Sequence, residues 1–368
     1  MIRGRDSKRL LSIDVFRGIT LFGMLLVNNQ GSLDIYPFLE HARWNEWSFA
    51  DLVFPFFLFI VGVVMPFSFS NRLSHDNSRN RLYLQLVKRT VILFGLGLFI
   101  NSFPYLGLSR IPGVLQRIAL CYFFSSLVVL KTSVRGQGVV AIILLAIYWV
   151  LMKAMPVPDV SSVLTAEMNL GAYIDRFIFR DHMMEPTWDP EGLLSTVPAI
   201  STTLFGVLAG HLLRSSKSPT QKTTMLLISG AGGIVVGKIM DIWFPINKIL
   251  WSPAYTVFTA GIASICLGLC YWLVEVKGYR RWSVPFVIYG VNAIAVYAFS
   301  SVLANALYRL SFTASDGSKI RLRSYIFDNF YASWAGPGHA SFFYALTHAL
   351  IWLGFAAVLF RKKIFIKI

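Results

Sequence analysis

The stretch Ala50-Asp-Leu-Val-Phe-Pro-Phe-Phe-Leu-Phe-Ile-Val-Gly-Val-Val-Met-Pro-Phe-Ser-Phe-Ser70 decides the fold. Its one ionisable residue, Asp51, stands at the start, and the rest is apolar or small. A helix of about 20 such residues crosses the hydrocarbon core of a bilayer. Outward from it, comparable runs occupy residues 11–30, 84–103, 111–130, 137–155, 192–213, 223–242, 252–274, 283–305 and 339–360. The chain therefore reads as an all-α, polytopic integral membrane protein with about ten transmembrane helices. It forms a single domain over residues 1–368, and no second domain or low-complexity linker is visible.

Composition agrees. Hydrophobic residues make up 55% of the chain and charged residues only 14%, against about 25% charged in soluble domains. A formal net charge of +16 raises nucleic acid as a partner, but the Lys and Arg residues lie in short blocks between apolar runs. There they set topology rather than build a groove. The first apolar run holds Asp14 and Arg17 and leads straight into a polar loop, so it reads as a retained first span rather than a cleaved signal. Cys121, Cys266 and Cys270 all fall inside apolar segments and read as buried filler. No metal-ligand spacing is present, and no metal is expected.

An even number of spans puts both termini on one side, and the basic residues say which. Arg3, Arg5, Lys8 and Arg9, the cluster from Arg72 to Arg89, Lys131 and Arg135, Arg214 to Lys222, Lys277 to Arg281 and Arg361 to Lys367 share one side. They outnumber the basic residues of the other side, such as Arg43, Arg110, Lys153, Lys248 and Arg309, by about two to one. Both termini are thus expected in the cytoplasm. The external connections, about 31–49, 156–191 and 306–338, are the long ones, and long polar loops carry chemistry more often than tight turns.

Ionisable residues near bilayer depth cost several kcal/mol unless paired or wet, so each is a site candidate. Asp14 and Arg17 lie three apart on one helix face and can pair, or Arg17 can meet a phosphate. The block His41-Ala-Arg-Trp-Asn-Glu-Trp-Ser-Phe-Ala-Asp51 is the densest concentration of polar and aromatic groups. A neutral imidazole there can take a proton from an amine, or attack a thioester itself, if a carboxylate holds its other nitrogen. Asp51, Glu40 and Glu46 are the available carboxylates, and Asp51 can instead cap the second helix through the helix dipole. Arg110 and Arg117 suit a phosphate or carboxylate, or a neighbouring helix. Asp189 and Glu191, flanking Pro190, read as a helix start. Lys238 and Asp241 read as a structural pair, Asn292 as interhelical glue or a ligand donor, His348 as packing, and His339 as a second catalytic candidate. Gly230, Gly232, Gly233 and Gly237 suit close helix packing, within one subunit or between the subunits of a homodimer.

Seven blocks carry a resemblance. Ser12-Ile-Asp-Val-Phe-Arg-Gly18, His41-Ala-Arg-Trp-Asn45, Ala50-Asp-Leu-Val-Phe-Pro-Phe56 with Phe59-Ile-Val-Gly62, Ile111-Pro-Gly-Val-Leu-Gln-Arg-Ile118, Asp189-Pro-Glu-Gly-Leu-Leu194 with Gly206-Val-Leu-Ala-Gly210, Asn247-Lys-Ile-Leu-Trp251 and Tyr289-Gly-Val-Asn292 resemble the heparan-alpha-glucosaminide N-acetyltransferase family. They keep one order from the first helix to the ninth. The family's lysosomal enzyme uses cytosolic acetyl-CoA to acetylate a terminal glucosamine on the luminal side. The resemblance implies an acetyl-CoA-dependent transferase acting on an amino sugar, with His41 as the active-site histidine, Asp51 as its acid, and Asn28 or Asn29 as the asparagine after the first helix.

Arg17, Arg110 and Arg117 are candidate donors to the phosphates of the acetyl donor or to sugar acids; the resemblance further implies Asn292 as a pocket residue on the donor side and Trp44, Asn45 and Glu191 on the acceptor side, with Lys248 placed to meet an anionic sugar. The chain looks like the compact bacterial form, without the long luminal N-terminal domain and one additional helix of the lysosomal enzyme. Its place is then the inner (cytoplasmic) membrane, with His41 facing the periplasm or exterior. The rival reading is a multispanning solute or glycan transporter, whose signature would be related halves with interrupted helices.

Overall fold

The computed structural model describes residues 10–75, 79–105, 107–155, 164–313 and 317–366. Arg3, Arg5, Lys8, Arg9 and Lys367 from the basic blocks, and residues 156–163 of the second long connection, lie outside the described residues. The described chain runs α1 (Leu11–Asn28), α2 (Phe49–His75), α3 (Arg79–Ser102), α4 (Val114–Lys131), α5 (Val134–Ala154), α6 (Leu170–Phe179) and α7 (Thr196–Arg214). It continues with α8 (Pro219–Asp241), α9 (Pro253–Tyr271), α10 (Val284–Val291), α11 (Ala293–Arg309), the strands β1 (Ser311–Thr313) and β2 (Lys319–Arg321), α12 (Leu322–Phe327) and α13 (Pro337–Arg361). Nine of the described helices, α1 to α5, α7 to α9 and α13, are long and apolar enough to cross a membrane. The bent pair α10 and α11 makes a tenth when counted as one span.

Local chemistry sets the helix starts. Ser218 and Gln221 form a reciprocal capping box ahead of Pro219, and the Ser252 hydroxyl accepts from the Tyr255 N–H ahead of Pro253, so each helix opens with satisfied N–H groups and a proline whose missing donor costs nothing there. Pro55 lies inside α2 and leaves the Asp51 carbonyl without its partner four residues on. The Tyr255 hydroxyl of α9 fills that vacancy, donating to the Asp51 carbonyl at 2.5 Å.

Glycine permits the closest helix crossings. A Cβ on Gly18 would collide with the Phe286 carbonyl and one on Gly290 with the Asp14 carbonyl, so α10 lies antiparallel against α1 at backbone contact. Gly62, Gly206 and Gly210 do the same between α2 and α7, meeting Thr203, Phe59 and Val63. Gly230, Gly233 and Gly237 of α8 press against Gly261 and Phe258 of α9 as expected, whereas Gly232 meets nothing within 4 Å. Small residues are what membrane helices need for this, since lipid supplies no hydrophobic drive between them. Helices α1, α2 and α7 bury most of their surface, while α3, α5, α8 and α13 bury a third or less and present the rest to lipid.

Two expectations are corrected. The ninth span is not one helix: it breaks at Asn292 with an 80° bend between α10 and α11. The Asn292 amide donates to the Ile364 carbonyl at 3.0 Å and accepts from the Ile366 N–H at 2.9 Å, so the segment after α13 fills the break. The long connections contain α6, the two-stranded ribbon and α12. Finally, Asp189 and Glu191 do not open the sixth span. That helix starts at Thr196, with the acids in a turn before it where Glu191 N–H donates to Asp189 Oδ1 at 2.9 Å.

The described parts of the connections between residues 29–48, 103–113, 155–195, 242–252 and 310–336 gather at one end of the bundle. Trp44 Nε1 donates to the Leu164 carbonyl, the Ile111 N–H to the His182 carbonyl, Asn247 Nδ2 to Asn45 Oδ1, and Arg323 to the Gln30 carbonyl. The first and last spans meet there through Ser341 and Gln30, so Leu11 and Arg361 share the opposite end.

Candidate active site

Asp51 is placed by the first turn of α2 and is completely buried. Its Oδ2 accepts from the N–H groups of Ala42 and Ser48, both at 3.0 Å, and from the Ser48 hydroxyl at 3.2 Å. The Ser48 bond is the return half of a capping box, Ser48-Phe-Ala-Asp51. With Oδ2 filled, Oδ1 faces the mouth and meets His41 Nδ1 at 2.8 Å. The cap and the imidazole partner, alternatives in the sequence, are therefore the two oxygens of one carboxylate. His41 itself is about half exposed at its side chain, held by the 29–48 loop, whose Leu39 anchors it in the core.

Lys248 completes the group. Its Nζ lies 3.1 Å from Asp51 Oδ1, 2.9 Å from His41 Nδ1 and 3.3 Å from His41 Nε2. Burial pulls the Lys248 ammonium below the ordinary lysine range, against Asp51 and Glu191, which hold it up. The turn that carries it is strained: Trp251 sits at φ +50°, a region costing a non-glycine residue about 1–3 kcal/mol. Three contacts hold Trp251 there. Its N–H donates to the Lys248 carbonyl at 3.0 Å, its Nε1 to Thr202 Oγ1 at 3.1 Å, and the Arg117 guanidinium lies 5.0 Å over its ring.

Behind this centre stands a second charged cluster. Arg110 donates to both oxygens of Asp189, at 2.8 and 2.6 Å, and also to Glu191. Burial opposes its charge, yet Glu191 and Asp189 hold Arg110 above the ordinary arginine range. Arg117, fully buried in α4, donates to the Gly192 carbonyl at 3.0 Å and to the Ser195 hydroxyl. Asp175 of α6 accepts from the Leu193 N–H at 2.9 Å. Burial, with the Asp189 charge adding to it, pushes Asp175 up to about 6 despite that bond and the nearby Arg117 and Arg176. The Asp189–Ser195 turn is thus clamped from three sides, and its Glu191 lies within electrostatic reach of Lys248.

The other expected site residues fall in several places. Arg17 pairs with Asp14 at 3.5 Å and donates to the Gly290 carbonyl at 3.0 Å, at the end away from His41. Asn292 is at the same end, engaged by Ile364 and Ile366. Trp44 and Asn45 tie the His41 loop to Leu164 and Asn247, and Asn45 and Asn247 border a cavity of about 310 Å³ with Phe244 and Leu250. Asn28 and Asn29 instead line a polar cavity of about 190 Å³ with Asn101, Tyr297, Ser300 and Asn305. His41 is not among that cavity's lining residues, and Asn29 Nδ2 is committed to the Leu25 carbonyl at 2.9 Å. His339 contacts the Tyr36 hydroxyl, His348 accepts from Trp352 Nε1, and Lys238 pairs with Asp241 at 3.2 Å.

Sequence reasoning missed Ser48, Asn247, Trp251 and Tyr255. The serine three residues before Asp51 was a readable capping signal. Asn247 and Trp251 flank Lys248 in a motif already quoted, but Tyr255 has no local signal because the carbonyl it serves is on another helix.

Residues 9–229 match the family described as "Heparan-alpha-glucosaminide N-acetyltransferase, catalytic". The chain is 29% identical over 420 residues to heparan-alpha-glucosaminide N-acetyltransferase of Homo sapiens, covering 98% of this chain and 60% of that protein. It is 30% identical over 426 residues to the Mus musculus protein of the same name, covering 100% of this chain and 61% of that protein. It therefore spans about 60% of the length of the curated relatives it matches.

Proposed function

The chain belongs to the heparan-alpha-glucosaminide N-acetyltransferase family by its catalytic region, and on that premise we propose that it transfers acetyl from acetyl-CoA to the amine of a glucosamine-like sugar on the extracytoplasmic side of an inner membrane. The observation that carries this reading is the His41 Nδ1 to Asp51 Oδ1 contact of 2.8 Å at a half-exposed imidazole. A carboxylate on Nδ1 favours the tautomer with its proton there and leaves the Nε2 lone pair for chemistry.

That lone pair can serve in two ways. As a base, Nε2 removes the proton from the acceptor amine as nitrogen attacks the thioester carbonyl and the carbon–sulfur bond breaks, releasing CoA thiolate. As a carrier, Nε2 attacks the thioester first and CoA thiolate leaves as the carbon–sulfur bond breaks; the amine nitrogen then takes the acetyl group from the acetyl-imidazole, and its surplus proton passes to the freed Nε2. Asp51 stabilises the charged imidazole in both. Asn45 and Asn247, which border the cavity of about 310 Å³ and bond to each other, lie on the two connections that carry His41 and Lys248, which supports those residues and Trp44 on the acceptor side. The guanidiniums of Arg110 and Arg17 are engaged by protein carboxylates, which favours a structural role for them over capture of CoA phosphates. The asymmetry of basic residues supports the His41 end as the external one.

A carrier reading draws support from one observation, the broken span at Asn292, since interrupted helices line transporter sites. There the C-terminal segment occupies the polar groups of the break, which favours the enzyme.

Incubation of the purified protein with acetyl-CoA and a panel of amino sugars, read by mass spectrometry, tests the proposal. Acetylated sugar is expected with the parent and none with His41→Ala, whose melting in detergent should match the parent. Near-normal turnover by His41→Ala sinks the assignment, and unmodified solute crossing in liposomes would establish the carrier.

A further inference from the structure

Arg89 breaks the apolar rhythm of α3. Leu82, Leu86 and Leu93 form the buried stripe of that helix, and Arg89, three after Leu86 and four before Leu93, falls on the same face. It lies about 15 Å along the axis from Arg79 and about 20 Å from Ser102, within a hydrocarbon layer roughly 30 Å thick. A charge at that depth needs a partner.

The described residues supply none. Arg89 makes no hydrogen bond or ion pair among them, its Nε is buried without an acceptor, and its half-buried guanidinium stacks over the Tyr122 ring of α4 at 4.7 Å. The helices themselves offer no carboxylate there, because α3, α4, α5, α7 and α11 contain no Asp or Glu. Tyr122 Oη and Ser125 Oγ, one turn apart on α4, are also buried without partners. Hydrogen-bond donors are thus left over where α3 meets α4, and such groups call for an acceptor.

The surroundings decide what kind of acceptor fits. Helix α3 packs on α4 and α11 and leaves Leu84, Val87, Val91 and Ile92 exposed, with Gln85 and Lys88 exposed beside Arg89. A phosphate carrying alkyl chains suits both the donors and this aliphatic flank, whereas a bare ion suits only the donors. We propose that Arg89, stacked on Tyr122 and flanked by Lys88, is the headgroup seat of a bound anionic phospholipid whose acyl chains run along Val91 and Ile92. Side chains on a helix lean toward its N-terminus, so both cations reach toward the Arg79 end, away from His41. With the His41 end external that is the cytoplasmic leaflet, whose surface potential is negative. The seat stands whether or not His41 transfers acetyl.

Native mass spectrometry of the purified full chain, with phosphatidylglycerol or phosphatidylcholine added to the detergent, reads the occupant directly. The parent should retain phosphatidylglycerol in preference to phosphatidylcholine. Arg89→Gln should weaken that retention at least about fivefold, while Arg135→Gln, which removes an exposed charge at the same end, should leave it unchanged. Parent-like retention by Arg89→Gln overturns the proposal, and equal loss in both variants does so by reducing the effect to overall charge. Displacement of the lipid by CoA or inorganic phosphate would assign the donors to a soluble phosphate and sink the lipid seat. If Arg89→Gln does not fold, the parent alone decides: phosphatidylglycerol should raise its melting temperature in detergent more than phosphatidylcholine does, and equal shifts count against a headgroup seat.

Discussion

Asp51 shows how one side chain can cap a helix and hold an imidazole together. Its Oδ2 satisfies N–H groups of the α2 entrance and the preceding loop, while Oδ1 faces the imidazole and an ammonium. Asp51→Asn keeps the size but has only one oxygen. If that oxygen stays on the backbone N–H groups, an amide N–H faces Nδ1 and selects the wrong tautomer, which should lower the acetyl transfer rate by about 10²–10⁴. Acetyl-CoA binding, measured by isothermal titration, should persist. A parent-like rate would leave capping as the sole role of Asp51. Arg110 differs, because its donors are held by Asp189 and Glu191. A buried ion pair is weak evidence of net stability, and its present value is geometric: it fixes the turn whose Gly192 and Ser195 receive Arg117.

At the scale of elements, glycine contacts separate helices that must touch from those that face lipid. Between α2 and α7, Gly206 admits the Phe59 carbonyl where any Cβ would stand, and α2 carries Asp51. Gly206→Val should force the pair apart and cost about 1–3 kcal/mol, read as a lower melting temperature in detergent and reduced transfer. Gly232→Ala on α8, where a Cβ has open space, should melt like the parent. Equal melting of the two variants would remove the backbone contact as the basis of α2–α7 packing. The break between α10 and α11 follows the same logic from the polar side. Asn292 is almost fully buried and can sit within a span because the backbone at Ile364 and Ile366 satisfies its amide.

For the whole molecule the consequence is a vectorial arrangement. Five connections converge at the His41 end, and the first and last spans begin and finish at the other. If the His41 end is external, a cysteine at Leu33, 96% exposed in the first of those connections, should react with a membrane-impermeant maleimide in intact cells. One at Arg135, also exposed but at the opposite end, should react only after permeabilisation. The reverse pattern would invert the orientation and require the sugar to be cytoplasmic. The native cysteines make little background, since Cys121 and Cys270 are buried and Cys266 is half-buried.

Much of this was legible along the chain. Spans of about twenty apolar residues declare themselves because a bilayer must be crossed with every backbone group satisfied internally, a local requirement that composition meets or fails within one segment. His41 and Asp51 were legible for a related reason, being ten residues apart on one connection. Tertiary structure alone decided what is set between segments: Lys248 in the dyad from a connection over 200 residues away, Tyr255 under the carbonyl that Pro55 orphans, the acids of the 189–191 turn on Arg110 rather than on their own helix, and the bend at Asn292. A residue's charge and shape are written in the sequence, but the partner that neutralises a charge or fills a vacancy is chosen by which helices glycine allows to touch.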